Sequence, residues 1–170
     1  MEHDERREQI LAAARRLFAE RPPAEVSATD IAREAGVARG LLHHYFGGSR
    51  ELHREAVRSM LRYPAVPEGD IADAIEGWLT MVSRNRAAWL AALAAHDQEI
   101  EAVVDAARDE AVQRLVTRFG GDEALRPVLR AYSAFAEAAT VEWLVRGRLS
   151  RRQTHDLLMS TLTHLTRGAP

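Results

Sequence analysis

Apolar positions recur along this chain at intervals of three and four, and almost nowhere at intervals of two. Ile10, Leu11, Ala14, Leu17 and Phe18 fall on one face of an amphipathic helix over residues 5–20, which Pro22-Pro23 stops. Ser27 and Asp30 then stand three apart as a capping-box-like start, the Ser hydroxyl placed to accept from the Asp30 N–H. The short helix this begins is expected to end near Ala35, where Gly36 permits the backbone to turn. A third short helix is expected from about Ala38 to Phe46, broken by Gly47-Gly48. Ser49 is expected to cap a longer one reaching Leu61 or Arg62.

The segment YPAVPEGD, with two Pro and a Gly, is the clearest boundary in the chain. Beyond it, Ile71, Ala74, Ile75, Trp78, Leu79 and Val82 define another helical face, and residues 87–95 a short apolar helix around Trp89, Leu90 and Leu93. A long helix follows through Ile100, Val103, Val104, Ala107, Ala111, Leu115 and Phe119, ended by Gly120-Gly121. Residues 126–146 and 150–166 are the last two helices. The first opens near Pro127, tolerated in a first turn, and the second on Ser150 and Gln153 as a capping box. No β-branched cluster bounded by turns interrupts the series, and no internal repeat appears. The fold class is all-α, with about nine helices.

Composition narrows the setting. At 46% hydrophobic residues, a chain of 170 can bury a sizeable core, yet it has no run of about 18 apolar residues that would span a membrane. The opening MEHDERREQI lacks the apolar stretch of a secretory signal, and without cysteine there is neither disulfide nor thiolate chemistry. A cytoplasmic location and no membrane partner are expected. The formal net charge of −2 argues against a uniformly basic nucleic-acid binder. Locally the balance reverses: residues 33–62 hold six Arg against three Glu, together with three His.

That basic stretch coincides with the two short helices, whose tight Gly-bearing turn is a helix-turn-helix pattern. Ile31, Ala32 and Ala35 face inward, Val37 packs in the turn, and Leu42 and Phe46 anchor the second helix over Ile10, Leu17 and Phe18. Left on its outer side are Arg39, Gly40, Leu41, His43, His44 and Tyr45, a patch that a plain surface helix would avoid. In a major groove these residues have work to do. Arg39 at the helix start can read guanine, Gly40 allows close approach, and Leu41 can touch a thymine methyl. His43, Tyr45 and Thr29 can donate to phosphate. Arg6 and Arg7, set among Glu2, Asp4, Glu5 and Glu8, do not read as a minor-groove arm.

The run from Ser27 to Phe46, SATDIAREAGVARGLLHHYF, with Glu51-Leu52 beyond and Ala13, Ala14, Leu17 and Phe18 before it, resembles the DNA-binding domain of the TetR family of transcriptional regulators. The resemblance implies a helix-turn-helix domain over residues 1–48 and a helical ligand-binding and dimerisation domain over 49–170. It implies a homodimer on a double-stranded DNA operator, released by a small-molecule effector. Ser27, Thr29, Arg39, Gly40, Leu41, His43, His44, Tyr45, Ser49 and Arg50 are the expected DNA-binding residues. Three positions depart from the family pattern. Ala38 stands where Ser or Thr usually caps the recognition helix, and His43 replaces a Tyr. Ser49 takes the place of a Lys, with Arg50 one residue later. These departures motivate the alternative of an all-α ligand-binding or protein-interaction module with weakened or lost DNA binding.

In the second domain, the large residues Met60, Tyr63, Trp78, Met81, Trp89, Leu93, Tyr132, Phe135 and Trp143 would line a cavity if the helices enclose one, with His96 and Glu142 as polar contacts. The same residues serve equally as core filling. Ala131, Ala134, Ala138, Val141 and Val145 form a small-residue stripe on one of the last two helices, and Leu158, Leu162 and Leu165 an aliphatic one on the other. Paired across a two-fold axis, they would make a four-helix bundle as the dimer interface, which sets a near-palindromic operator. No catalytic, metal or cofactor site is expected. The adjacent His43 and His44 project about 100° apart on a helix. His96 and Glu99 form a lone i, i+3 pair, and no phosphate loop, Ser elbow or zinc motif is present.

Overall fold

A computed structural model describes residues 2–61, 70–94 and 98–167, the side chain of Glu2 excepted. The described residues are helical and contain no strand. In chain order they form α1 (Glu2–Glu20), a 3-10 turn (Pro23–Glu25), α2 (Ala28–Ala35), α3 (Arg39–Phe46) and α4 (Ser49–Met60). Then follow α5 (Ile71–Arg84), α6 (Arg86–Leu93), α7 (Gln98–Arg118), a second 3-10 turn (Glu123–Leu125), α8 (Arg126–Leu144) and α9 (Arg151–Arg167). No helix among the described residues is long and apolar enough to cross a membrane. The expected boundary YPAVPEGD lies outside them except for Asp70, whose carboxylate accepts from the Ala72 N–H at 3.1 Å and so opens α5. The expected C-terminal end of the helix over 87–95 also lies outside them.

Two caps form as their spacing requires. Asp30 N–H donates to Ser27 Oγ at 3.1 Å and Ser27 N–H to Asp30 Oδ2 at 3.0 Å, while Ser150 and Gln153 exchange the same pair of bonds. Ser49 does not cap α4. Gly48 holds that position and Ser49 is already the first helical residue. The Glu51 carboxylate folds back so closely that a Cβ on Gly48 would stand 2.7 Å from its Oε2.

The chain divides into two compact units. The first comprises residues 1–62 and 84–104. Here α1 is the central helix, meeting α2, α4 and α6. Its Ile10, Ala13 and Ala14 are fully buried, with Phe18 1% exposed. Ile31, Leu42, Leu52 and Trp89 from α2, α3, α4 and α6 are buried too. Small Ala at 13, 14, 32 and 35 keeps the helix crossings close. Polar pairs fasten the rim: Gln9 Nε2 donates to the Ala35 carbonyl at 2.7 Å and Arg16 Nε to Glu34 at 2.8 Å.

The second unit comprises residues 63–83 and 105–170. Leu79, Val112, Val116, Leu129, Leu158 and Leu162 are its most buried apolar residues. Arg108 makes a bidentate pair with Glu137, Nε and Nη2 each at 2.9 Å from a carboxylate oxygen, and so ties α7 to α8. Arg151 at the start of α9 pairs with Glu76 of α5, donates to Thr80 Oγ1 at 2.7 Å and lies 5.6 Å over the Trp143 ring.

Candidate functional site

Local chemistry fixes the geometry around α3. The Ser27 hydroxyl both accepts from the Asp30 N–H and donates to its carboxylate at 2.6 Å. The side-chain and backbone bonds from Ser27 hold the Asp30 carboxyl below the usual range. Ser27 is therefore exposed but engaged in starting α2. At the other end Gly36 takes φ 65°, a left-handed conformation that few side chains tolerate. Its N–H and that of Val37 satisfy the Arg33 and Ala32 carbonyls at 3.1 and 3.0 Å. The chain re-enters helix at Arg39 through Ala38, which has the extended backbone of a cap but contributes no side-chain bond. Gly47, at φ 77°, closes α3 with its N–H 2.8 Å from the His43 carbonyl.

This turn presents one face of α3 outward. Leu42 and Phe46 are buried; Arg39, Gly40, His43 and His44 are exposed, and Leu41 and Tyr45 half-buried. Thr29 on α2 and Ser49 and Arg50 at the start of α4 are exposed as well. Most Arg residues of the described chain are tied to acids, but Arg39 and Arg50 make no ion pair or hydrogen bond among the described residues. Arg21, Arg58, Arg84 and Arg167 likewise show no side-chain ion pair or hydrogen bond among the described residues, so Arg39 and Arg50 are set apart by their place at the starts of α3 and α4.

Two supports of this face went unread in the sequence. His3 of α1 packs on Tyr45 with ring centroids 4.6 Å apart and reaches His44 at 6.3 Å, so α1 steadies the C-terminal half of α3. Arg7 stands 5.0 Å over the Phe46 ring and pairs with Glu55 of α4, clamping three helices together. Arg6 donates to Gln9 at 2.9 Å. Both arginines thus serve the unit itself. Among the described residues no group of three His, Asp or Glu stands close enough to hold a metal ion.

The second unit contains a cavity of about 90 Å³. Ile71, Ala74, Ile75 and Trp78 of α5 form one wall, and Ala111, Arg114 and Leu115 of α7 another. Tyr132, Ser133 and Ala136 of α8 and Leu158 and Leu162 of α9 complete it. Of the eleven residues expected around a pocket, Trp78 and Tyr132 are brought together here. Burial pushes the Tyr132 phenol up, and its hydroxyl donates to the Leu158 carbonyl at 3.1 Å. The others are placed elsewhere. Met60 and Trp89 are buried in the first unit, and Leu93, half-buried on α6, belongs there as well. Met81 is half-buried outside the cavity wall, and Phe135 is 36% exposed on the outer side of α8. Glu142 pairs with Arg146 and Arg148, and Trp143 lies under Arg151. Tyr63 and His96 lie outside the described residues. Residue size marked candidates but not which helix face each would occupy.

The outer stripe differs from expectation in a similar way. Ala131, Ala134, Ala138 and Val145 are exposed and Val141 half-buried on or just beyond α8. Leu158 and Leu162, however, are 1% and 2% exposed and form the cavity wall, so they do not face outward. Leu157, at 37% exposure, and half-buried Leu165 are the outward leucines of α9.

A short exposed helix, set by a left-handed glycine turn against a buried partner, is the helix-turn-helix arrangement of DNA-binding transcriptional regulators. Residues 10–56, from α1 into α4, match the family model of the bacterial regulatory proteins of the tetR family. Over 57 residues the chain is 46% identical to the HTH-type transcriptional regulator BetI of Agrobacterium fabrum, and 42% identical to BetI of Brucella anthropi. Those stretches cover 34% of this chain but only 28% and 29% of the two relatives. The fold is shared more widely. A tetR-family regulator from Streptomyces coelicolor superposes with a TM-score of 0.79 at 24% identity, over 95% of this chain and 79% of that one. A TetR regulator from Rhodococcus sp. RHA1 superposes with 0.69 at 21% identity over the full length of both. Residues 10–56 are thus similar to the DNA-binding domain of the tetR family of bacterial regulatory proteins, and the chain shares its all-α fold with solved tetR-family structures.

Proposed function

We propose that the protein is a homodimeric transcriptional repressor that binds a near-palindromic operator and is released from it when a small molecule occupies the α5–α9 cavity. The observation that carries this reading is the outer face of α3 and the start of α4. There Arg39 and Arg50 stand exposed with no acid partner among the described residues, in a protein whose arginines are otherwise largely paired. Arg39 is the first residue of α3, the end from which base edges are read, and Gly40 beside it lets the backbone approach. Leu41 contacts a thymine methyl; His43, Tyr45, Thr29, Ser49 and Arg50 face phosphates, and His44 lies at the edge of the footprint.

Dimerisation is supported by where apolar surface remains uncovered. The exposed large hydrophobic residues among those described are Val128, Phe135, Val145 and Leu157, all on or beside α8 and α9. On α8, Val128, Ala131, Phe135 and Ala138 follow alternate steps of three and four, the spacing of a helix-packing seam, and Val145 lies two turns further on. A second copy, related by a two-fold axis, covers this face with the same face of its own. Effector release then follows as a population shift between a dimer whose recognition helices match the operator spacing and one in which they do not.

Selection of bound sequences from random DNA tests the reading. A palindrome whose half-sites lie about one helical turn, or a multiple of it, apart is the expected product. The uncapped start of α3 at Ala38 favours the second reading, a helical module that has lost DNA binding; no enrichment even at low salt would select it.

A further inference from the structure

We infer that the cavity of the second unit takes a small apolar monocarboxylate, its hydrocarbon body between α5 and α9 and its carboxylate on Arg114; this rests on the effector reading above. The walls that meet the ligand body are hydrocarbon: Ile75, Leu115, Ala136, Leu158 and Leu162, with the Trp78 ring. Two hydroxyl groups also line the cavity, but each is already engaged. Tyr132 donates to the Leu158 carbonyl at 3.1 Å and Ser133 to the Leu129 carbonyl at 3.0 Å. A ligand therefore finds few hydroxyl donors there, and a sugar or polyol would lose its hydration uncompensated.

Among the described lining residues one side chain is charged, and it is positive. Arg114 on α7 has a side chain 31% exposed, so it stands at the mouth. It pairs with Glu110 one turn earlier at 3.0 Å, but that acid is 70% exposed. Such a surface pair adds little stability, and its guanidinium offers five donors in a planar fork matched to a carboxylate. A ligand carboxylate can therefore join the partners that Arg114 already has on this fork. A cationic ligand meets the reverse situation: among the described lining residues none is a carboxylate, and Trp78 and Tyr132 offer ring faces. Volume sets the size. At about 90 Å³ the cavity suits a small ligand with a short branched body.

Calorimetric titration of the full-length protein with isovalerate, isoamyl alcohol and isoamylammonium tests this, because the three share one branched hydrocarbon body. The acid is expected to bind about tenfold or more tightly than the alcohol, and the ammonium not at all. Arg114→Gln is expected to bring the acid down to the alcohol's affinity and leave the alcohol unchanged. Ala136→Leu, which fills the cavity, is expected to abolish binding of both while thermal unfolding stays cooperative. Equal affinity for acid and alcohol, an acid preference that survives Arg114→Gln, or no binding of any probe would overturn the assignment. A second arm adds the selected operator. Acid binding that leaves DNA bound supports the carboxylate site and removes the release mechanism. Release by the alcohol alone keeps the mechanism and overturns the carboxylate site.

Discussion

Arg39 and Arg50 carry the same charge but stand in different places relative to the α3 axis, and so should fail differently. Arg39 opens α3, where in the proposed docking a guanidinium can meet one base pair in two parallel bonds; Arg50 follows at the start of α4, where it is proposed to face phosphate. Arg39→Ala is expected to cost about 1–3 kcal/mol on the selected operator and to relax preference at one base position. Arg50→Ala is expected to weaken all sequences evenly and to lower the salt slope by about one. Anisotropy titrations against point-substituted operators at several salt concentrations separate the two, and uniform losses from both variants would place Arg39 on phosphate. The outward set on α3 was legible in the sequence because a helix of eight residues has few ways to place Leu42 and Phe46 inward. His3 and Arg7 were not, because their contacts with Tyr45, Phe46 and Glu55 cross between helices and leave no local spacing to read.

At the scale of the element, α3 is short and its start is weak. Ala38 holds a capping backbone, φ −68° and ψ 137°, without a side-chain acceptor, and Gly40 follows inside the first turn. The Gly40 deficit is not forced by crowding, since a Cβ there would meet nothing within 4 Å. Ala38→Ser supplies the missing acceptor and is expected to raise stability by about 0.5–2 kcal/mol in urea unfolding, with no change in m-value. An unchanged midpoint would mean that tertiary anchoring by Leu42 and Phe46 already holds the helix start. Caps and breaks are local, so the Ser27–Asp30 and Ser150–Gln153 boxes and the Gly36 turn were readable from spacing alone. Ser49 is not the cap because the helix begins one residue earlier than spacing suggests, with Gly48 at the cap position and no side-chain cap bond. The faces of the longer helices were harder. Heptad-like spacing on α8 and α9 marks two apolar stripes on each, and only packing decides that Leu158 and Leu162 turn inward while Leu157 turns out.

For the whole molecule, that sorting of faces has a thermodynamic consequence. The residues α8 and α9 bury leave Phe135 and Val145, 36% and 55% exposed, on the opposite side, together with Val128 and Leu157. Burying a Phe or Val side chain fully is worth about 1.5–3 kcal/mol, and a two-fold axis counts every such residue twice. A charge placed in that seam loses the same burial and adds a desolvation cost. Because both positions are exposed in the single chain, Phe135→Glu and Val145→Glu together should leave each protomer folded and separate the dimer. Sedimentation velocity at micromolar concentration is expected to show a dimer for the parent and a monomer for the double variant, with matching helical content. The variant should also lose most of its affinity for the full operator but keep the parent's weaker binding to an isolated half-site. A parent that sediments as a monomer would remove the interface. A double variant that remains a dimer would move it to another face.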